Sequence, residues 1–161
     1  ARRAQTLARV VRRRVERMSE SEGATKHLAP VVGKTTAAVM VATLGDPRAY
    51  DSATAYLKST GLNLKEKSSG KKKGGLHVTK RGPGIVRLYL YLAALRLLQR
   101  DRVVRAWYHK KVRRQGGIAK SKAVVAIMRK LVLALWSVAD GAVFDSSKMF
   151  DTTRLKLSAV T

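Results

Sequence analysis

A chain of 161 residues is ample for one ordinary domain and cramped for two, and its 34 Lys and Arg against 10 Asp and Glu give a formal net charge of +24. With 45% hydrophobic residues it can bury a real core, which excludes wholesale disorder, and the absence of cysteine excludes disulfides, thiolate zinc sites and cysteine nucleophiles. A field of this sign attracts polyanions and repels a second copy of itself, so nucleic acid is the natural partner.

The chain opens ARRAQTLARVVRRR with no apolar block behind it, so no signal peptide is read and a cytoplasmic, nucleoid-associated protein is expected. It starts at Ala1 in what reads as mid-helix, which suggests a piece of a longer polypeptide. Over residues 2–20, Leu7, Val10, Val11, Val15 and Met18 fall at helical spacing with Arg on the other face. Residues 1–26 are therefore expected as a helical arm or coiled-coil end. Gly23 weakens that helix and Pro30 should stop or restart it. Next, HLAPVVGKTTAAVMVATLGD predicts a helix-hairpin-like unit: a short helix, a Gly-containing turn and an apolar helix ending at Leu44-Gly45. Asp46-Pro47 makes a turn, and Asp51 or Ser52 can cap a helix over residues 53–59.

Between Gly61 and Gly84 the character changes. GLNLKEKSSGKKKGGLHVTKRGPG has no helical period and should be a long basic Gly/Ser/Lys loop, extended or closed into a short hairpin. Structureless loops of this length inside a domain are usually functional or disordered. Three helices then follow, over residues 85–99, 103–115 and 119–139. The first is apolar on nearly all sides and is expected to be the central core helix. Neither it nor the third spans a bilayer: both fall short of roughly 20 apolar residues, and Arg87, Arg96, Arg129 and Lys130 interrupt them. No membrane partner is expected. The fold class is thus mainly α, a compact helical domain over residues 27–145 with residues 146–161 as a tail, and the chain after Gly141 is expected to be weakly ordered.

Gly33-Lys34-Thr35 resembles the end of a phosphate-binding P-loop, but position 28 is Leu where that loop needs Gly, so the nucleotide reading is rejected. The turn can instead offer the Gly33 and Lys34 amides to a DNA phosphate, or simply pack two helices. His27, His77 and His109 share no ligand spacing with an acid, and the acids do not cluster, so no metal site is expected in this chain. Ser68-Ser69-Gly70 is the element that can carry chemistry. An attacking hydroxyl must approach phosphorus closely, which Gly70 permits, and the developing negative charge needs cations already aimed at it. Lys67, Lys71, Lys72, Lys73, Lys80, Arg81 and Arg87 are near in sequence. The alternative is a solvated loop that only binds backbone phosphates. Lys110, Lys111, Arg113 and Arg114 add a basic helix face, on which Trp107 and Tyr108 either stack on bases or belong to the core.

The runs APVVGKTTAAVMVATLGD, TGLNLKEKSSGKKKGGLHVTKRGPGIVRLYLYLAALRL and AVVAIMRKLVLALW closely resemble the C-terminal transposase domain of the one-ten family of insertion-sequence transposases. That family also includes Piv-type DNA invertases and bridge-RNA-guided recombinases. The similarity covers about residues 28–145, and its specific block is the Ser-Gly pair, the basic spacer, then Lys80, Arg81, Gly82 and Arg87 leading into an apolar helix. The resemblance implies a two-part enzyme, with an N-terminal RuvC-like domain whose DEDD acids bind Mg²⁺, a helical connection, and this domain. It implies that Ser69, with Ser68 as the fallback, attacks DNA and holds it as a phosphoserine, while Lys80, Arg81 and Arg87 steady phosphate charge. DNA, a guide RNA, the RuvC-like domain and a second copy in a homo-oligomer are the implied partners, and a fragment without the RuvC-like domain should be inactive. One departure is that the family's hairpin reads Pro-Gly-x-Gly where this chain has Pro30-Val31-Val32-Gly33, with Lys34 in place of a frequent Pro. Two other readings stay open: a DNA- or RNA-binding module without chemistry, and a ribosome-associated structural protein.

Overall fold

In the computed structural model, which describes residues 23–66, 75–153 and 155, the helices follow as α1 (Gly23–Val32), α2 (Lys34–Leu44), α3 (Ala53–Ser59), α4 (Gly84–Arg100), α5 (Arg102–Arg114) and α6 (Lys120–Ala139). Short 3-10 turns occupy Pro47–Ala49 and Ser146–Met149. Between α3 and α4 an antiparallel pair, β1 (Leu64–Glu66) and β2 (Leu76–Val78), joins the described ends of the glycine-rich stretch in the manner of a short hairpin. The described part is mainly α, as its periodicity predicts. Residues 1–22 of the expected arm lie outside the described residues, as do Ser68, Ser69, Lys67, Lys71, Lys72 and Lys73.

Side chains that accept backbone N–H groups set the helix starts. Ser52, not Asp51, caps α3 by accepting from the Ala55 amide at 3.1 Å, and Asp101 caps α5 by accepting from Val104 at 3.0 Å. Pro30 neither stops nor restarts a helix; it sits exposed inside α1, where its missing N–H removes one bond from the final turns. Gly33, at φ 86°, then turns the chain into α2, a conformation that costs glycine little and other residues much.

The central helix is α6, which corrects the expectation placed on residues 85–99. In α6, Ala123, Val124, Ile127, Met128, Leu131, Val132, Leu135, Val138 and Ala139 are buried, two adjacent positions in nearly every turn, so the apolar stripe is wide. It packs against α1, α3, α4, α5 and both 3-10 turns. In α4 only Val86, Leu90, Ala93 and Ala94 are buried. Ile85, Leu88, Tyr91 and Leu92 remain 41–52% exposed along one side, because the helices that cover α4 approach it from the others.

Among the described residues after Gly141, where weak order is expected, part of the chain packs on the helical body. Asp145 caps the Ser146–Met149 turn, and Met149 and Phe150 are buried in the same core as α6. Phe150 stacks on Trp107 with ring centroids 4.6 Å apart, and Lys130 donates to the Met149 carbonyl at 2.7 Å. At the other end Ala24 and Thr25 are buried too, so the packed unit begins before residue 27.

Candidate nucleic-acid interface

A two-stranded hairpin is marginal by itself in water, so what holds this one is its base. Gly61, at φ 73°, ends α3, and the chain returns past it at Gly82. The two backbones cross so closely that a Cβ on Gly82 would lie 2.5 Å from the Ser59 carbonyl oxygen and 2.7 Å from the Gly61 nitrogen. Only glycine fits there. Above the crossing, Lys80 donates its amide to the Gly61 carbonyl at 3.0 Å, and Thr79 donates through its amide to the Asn63 carbonyl at 2.9 Å and through Oγ1 to Asn63 Oδ1 at 2.6 Å. Lys80 takes up a φ of 55° at this corner. Two arginines from the helical body complete the base. Arg87 in α4 donates from Nη1 to the carbonyls of Gly82 at 2.7 Å and Thr60 at 3.4 Å, and Arg129 in α6 donates from Nε to the Leu62 carbonyl at 2.8 Å. From there Leu64 pairs with Val78, Lys65 with His77 and Glu66 with Leu76, and all but Val78 are exposed.

Of the predicted residues, Lys80, Arg81 and Arg87 come together around Gly61, the first two exposed and Arg87 half-buried. Arg87 spends Nη1 on the hairpin base, so it fastens the fold there whatever else it meets. Lys110 and Lys111 are half-buried on α5, whereas Arg113 and Arg114 are exposed in its last turn, where cations also favour the negative end of the helix. Lys34 is exposed at the first position of α2. The Gly33 amide is not open to a phosphate: it donates to the Ala29 carbonyl at 2.8 Å. The guanidinium of Arg96 closes the same corner, donating from Nη2 to the Val32 carbonyl at 2.8 Å and to Thr36 Oγ1 at 2.9 Å. The turn between α1 and α2 is therefore a packing corner. Trp107 belongs to the core beside Phe150, with the Lys111 ammonium 6.0 Å from its ring centroid. Arg96 and Arg129, which the sequence marks only as breaks in apolar helices, hold these corners because an arginine in such a helix must find acceptors.

The acids serve locally. Arg48 donates to Asp46 and holds its carboxyl below the usual range, Asp101 caps α5, and Ser147 does the same to Asp145. Among the described residues no three His, Asp or Glu side chains converge, so they give a divalent metal no seat. No described helix is long and apolar enough to cross a membrane.

The profile of the Transposase IS116/IS110/IS902 family matches residues 28–109, half of the chain, and the chain belongs to that family. It is also 28% identical over 120 residues to the insertion element IS110 uncharacterized 43.6 kDa protein of Streptomyces coelicolor, a match covering 74% of this chain and 29% of the relative. The chain thus spans less than a third of that relative's length.

Proposed function

We propose that this chain is the part of a DNA transposase that grips DNA and supplies its serine nucleophile, acting in strand cleavage and rejoining. The observation that carries the reading is the family match itself, whose span of residues 28–109 contains both the Ser68-Ser69-Gly70 segment and the locked hairpin base. In the proposed step the Ser69 Oγ attacks a backbone phosphorus, forming a phosphoserine bond as the bond from phosphorus to one sugar oxygen breaks. The serine proton ends on the departing sugar hydroxyl. Reversal with a different strand's hydroxyl rejoins DNA without ATP, because one phosphodiester has been exchanged for another. Lys80 and Arg81, with Lys67, Lys71, Lys72 and Lys73 in the connecting segment, offset the charge on the phosphoryl oxygens. Lys34, Lys110, Lys111, Arg113 and Arg114 hold flanking phosphates, and Arg87 adds charge while holding the base.

The described residues offer Mg²⁺ no carboxylate set, so the acids that would bind it are assigned to a RuvC-like domain elsewhere in the polypeptide, and no step here runs through the ion. Partners under this reading are DNA, that domain, a second copy joined through the arm, and a guide RNA where the element uses one. In a complete protein, Ser69→Ala should keep DNA binding and lose both strand exchange and covalent trapping of DNA, while Ser68→Ala keeps them. Recombination that persists in Ser69→Ala removes the assignment. The exposed Arg113 and Arg114 favour a second reading, a DNA- or RNA-binding module without chemistry. Supplying a RuvC-like domain and Mg²⁺ separates the two, because a pure binder gains no cleavage.

A further inference from the structure

Successive residues of a strand point to opposite faces, so the register sorts the hairpin into two surfaces. Leu64, Leu76 and Val78 share one of them, and Val78 packs against the core. Lys65 and His77, directly opposite each other, share the other. Directly opposed residues hold their Cβ atoms about 5 Å apart, close enough for both side chains to reach one small group. With Thr79 and Arg81, Lys65 and His77 line a cleft of about 300 Å³, whose lining is completed by Glu66 and Val78 from the first surface. Thr79 is committed to the base, donating Oγ1 to Asn63. The side chains of Lys65, His77 and Arg81 make no hydrogen bond or ion pair with any described residue. A Cβ on Gly75 would lie 3.7 Å from His77 Nε2, so the imidazole leans toward the open end of the hairpin.

The cleft therefore collects an ammonium, a guanidinium and an imidazole, all donors, with a single carboxylate at its rim. Lys65 and Arg81 against Glu66 leave one net positive charge, which matches the single negative charge of a phosphodiester better than the nearly double charge of a phosphomonoester. We infer that this cleft seats one phosphodiester of a nucleic-acid backbone, held by Lys65, His77 and Arg81. The inference rests on the nucleic-acid reading above and deepens it, adding Lys65 and His77 to the contact set.

The test uses the 161-residue chain, a short DNA duplex and an RNA hairpin of equal phosphate count, with affinity followed by fluorescence anisotropy as salt is raised. Each phosphate contact contributes about 0.9 to the slope of log affinity against log salt for duplex DNA. Lys65→Gln and His77→Gln should each weaken binding about fivefold at low salt, and the double variant should lower the slope by about one. Lys65→Arg should keep the slope, and Lys148→Ala, on the far 3-10 turn, should leave the hairpin's contribution intact. A slope unchanged in the double variant overturns the seat while leaving nucleic-acid binding standing. Failure of the wild type to bind either probe overturns the broader reading instead. A slope change seen only with RNA keeps the seat and assigns the phosphodiester to RNA. If a variant melts early, the wild type decides by itself: amide shifts at Lys65 and Thr79 on adding the duplex support the seat, and their absence defeats it.

Discussion

At Gly82 a single hydrogen in place of a side chain decides whether the hairpin can return to the helical body. A methyl group there would sit 2.5 Å from the Ser59 carbonyl oxygen, a backbone atom at the end of α3 that cannot swing aside as a flexible side chain does. Gly82→Ala should therefore cost about 2 kcal/mol or more, as forced overpacking does, and should break the bond from Arg87 to the Gly82 carbonyl. Gly75→Ala is the contrast, since among the described residues its added methyl meets only His77 Nε2 at 3.7 Å, and it should change stability by less than about 0.5 kcal/mol. Equal melting of the two variants would contradict the interlock. The sequence shows glycine at both positions but not which one lies under a second backbone. That difference arises from residues more than twenty positions away, and the same holds for the bonds from Arg87 to the Thr60 carbonyl and from Arg129 to the Leu62 carbonyl.

Among the elements, α4 and α6 show where periodicity informs and where it stops. Both helices are legible from the sequence pattern within a residue or two of their observed ends, as are α2 and α5, whereas α1 begins at Gly23, ahead of the expected start at His27, and runs through Pro30. Which of the two is central is not, because an apolar surface reports what a helix can bury rather than what arrives to bury it. The residues of α4 that are buried are few, and Leu88 is left 52% exposed, whereas Leu131 is 1% exposed on α6, the helix that packs against four others. Leu131→Ala should accordingly cost about 3 kcal/mol, and Leu88→Ala under about 1 kcal/mol, when chemical denaturation is followed by helical ellipticity. Comparable losses would return α4 to the centre. The packing of Met149 and Phe150 is illegible for a related reason: they are isolated apolar residues in a polar stretch, with no period to announce them, and Trp107 and Lys130 across the fold make sense of them.

For the whole molecule, salt acts on two quantities in opposite directions. With 34 cationic side chains against 10 acids, and with acids such as Asp46, Asp101 and Asp145 occupied in turns and caps, the compact state repels itself. Screening shortens the reach of that repulsion from roughly 30 Å at 0.01 M salt to about 10 Å at 0.1 M, so stability should rise as salt is added. Binding should do the reverse. If the hairpin and the end of α5 together neutralise about six phosphates, counterion release predicts that DNA affinity falls roughly a thousandfold between about 50 and 200 mM salt. Measured side by side, the melting temperature should climb over the range in which binding collapses. A melting temperature that fell with binding would mean the cations are neutralised within the fold. The charge would then be structural, and the exposed Lys80, Arg81, Arg113 and Arg114 would no longer be the surface on which DNA is held.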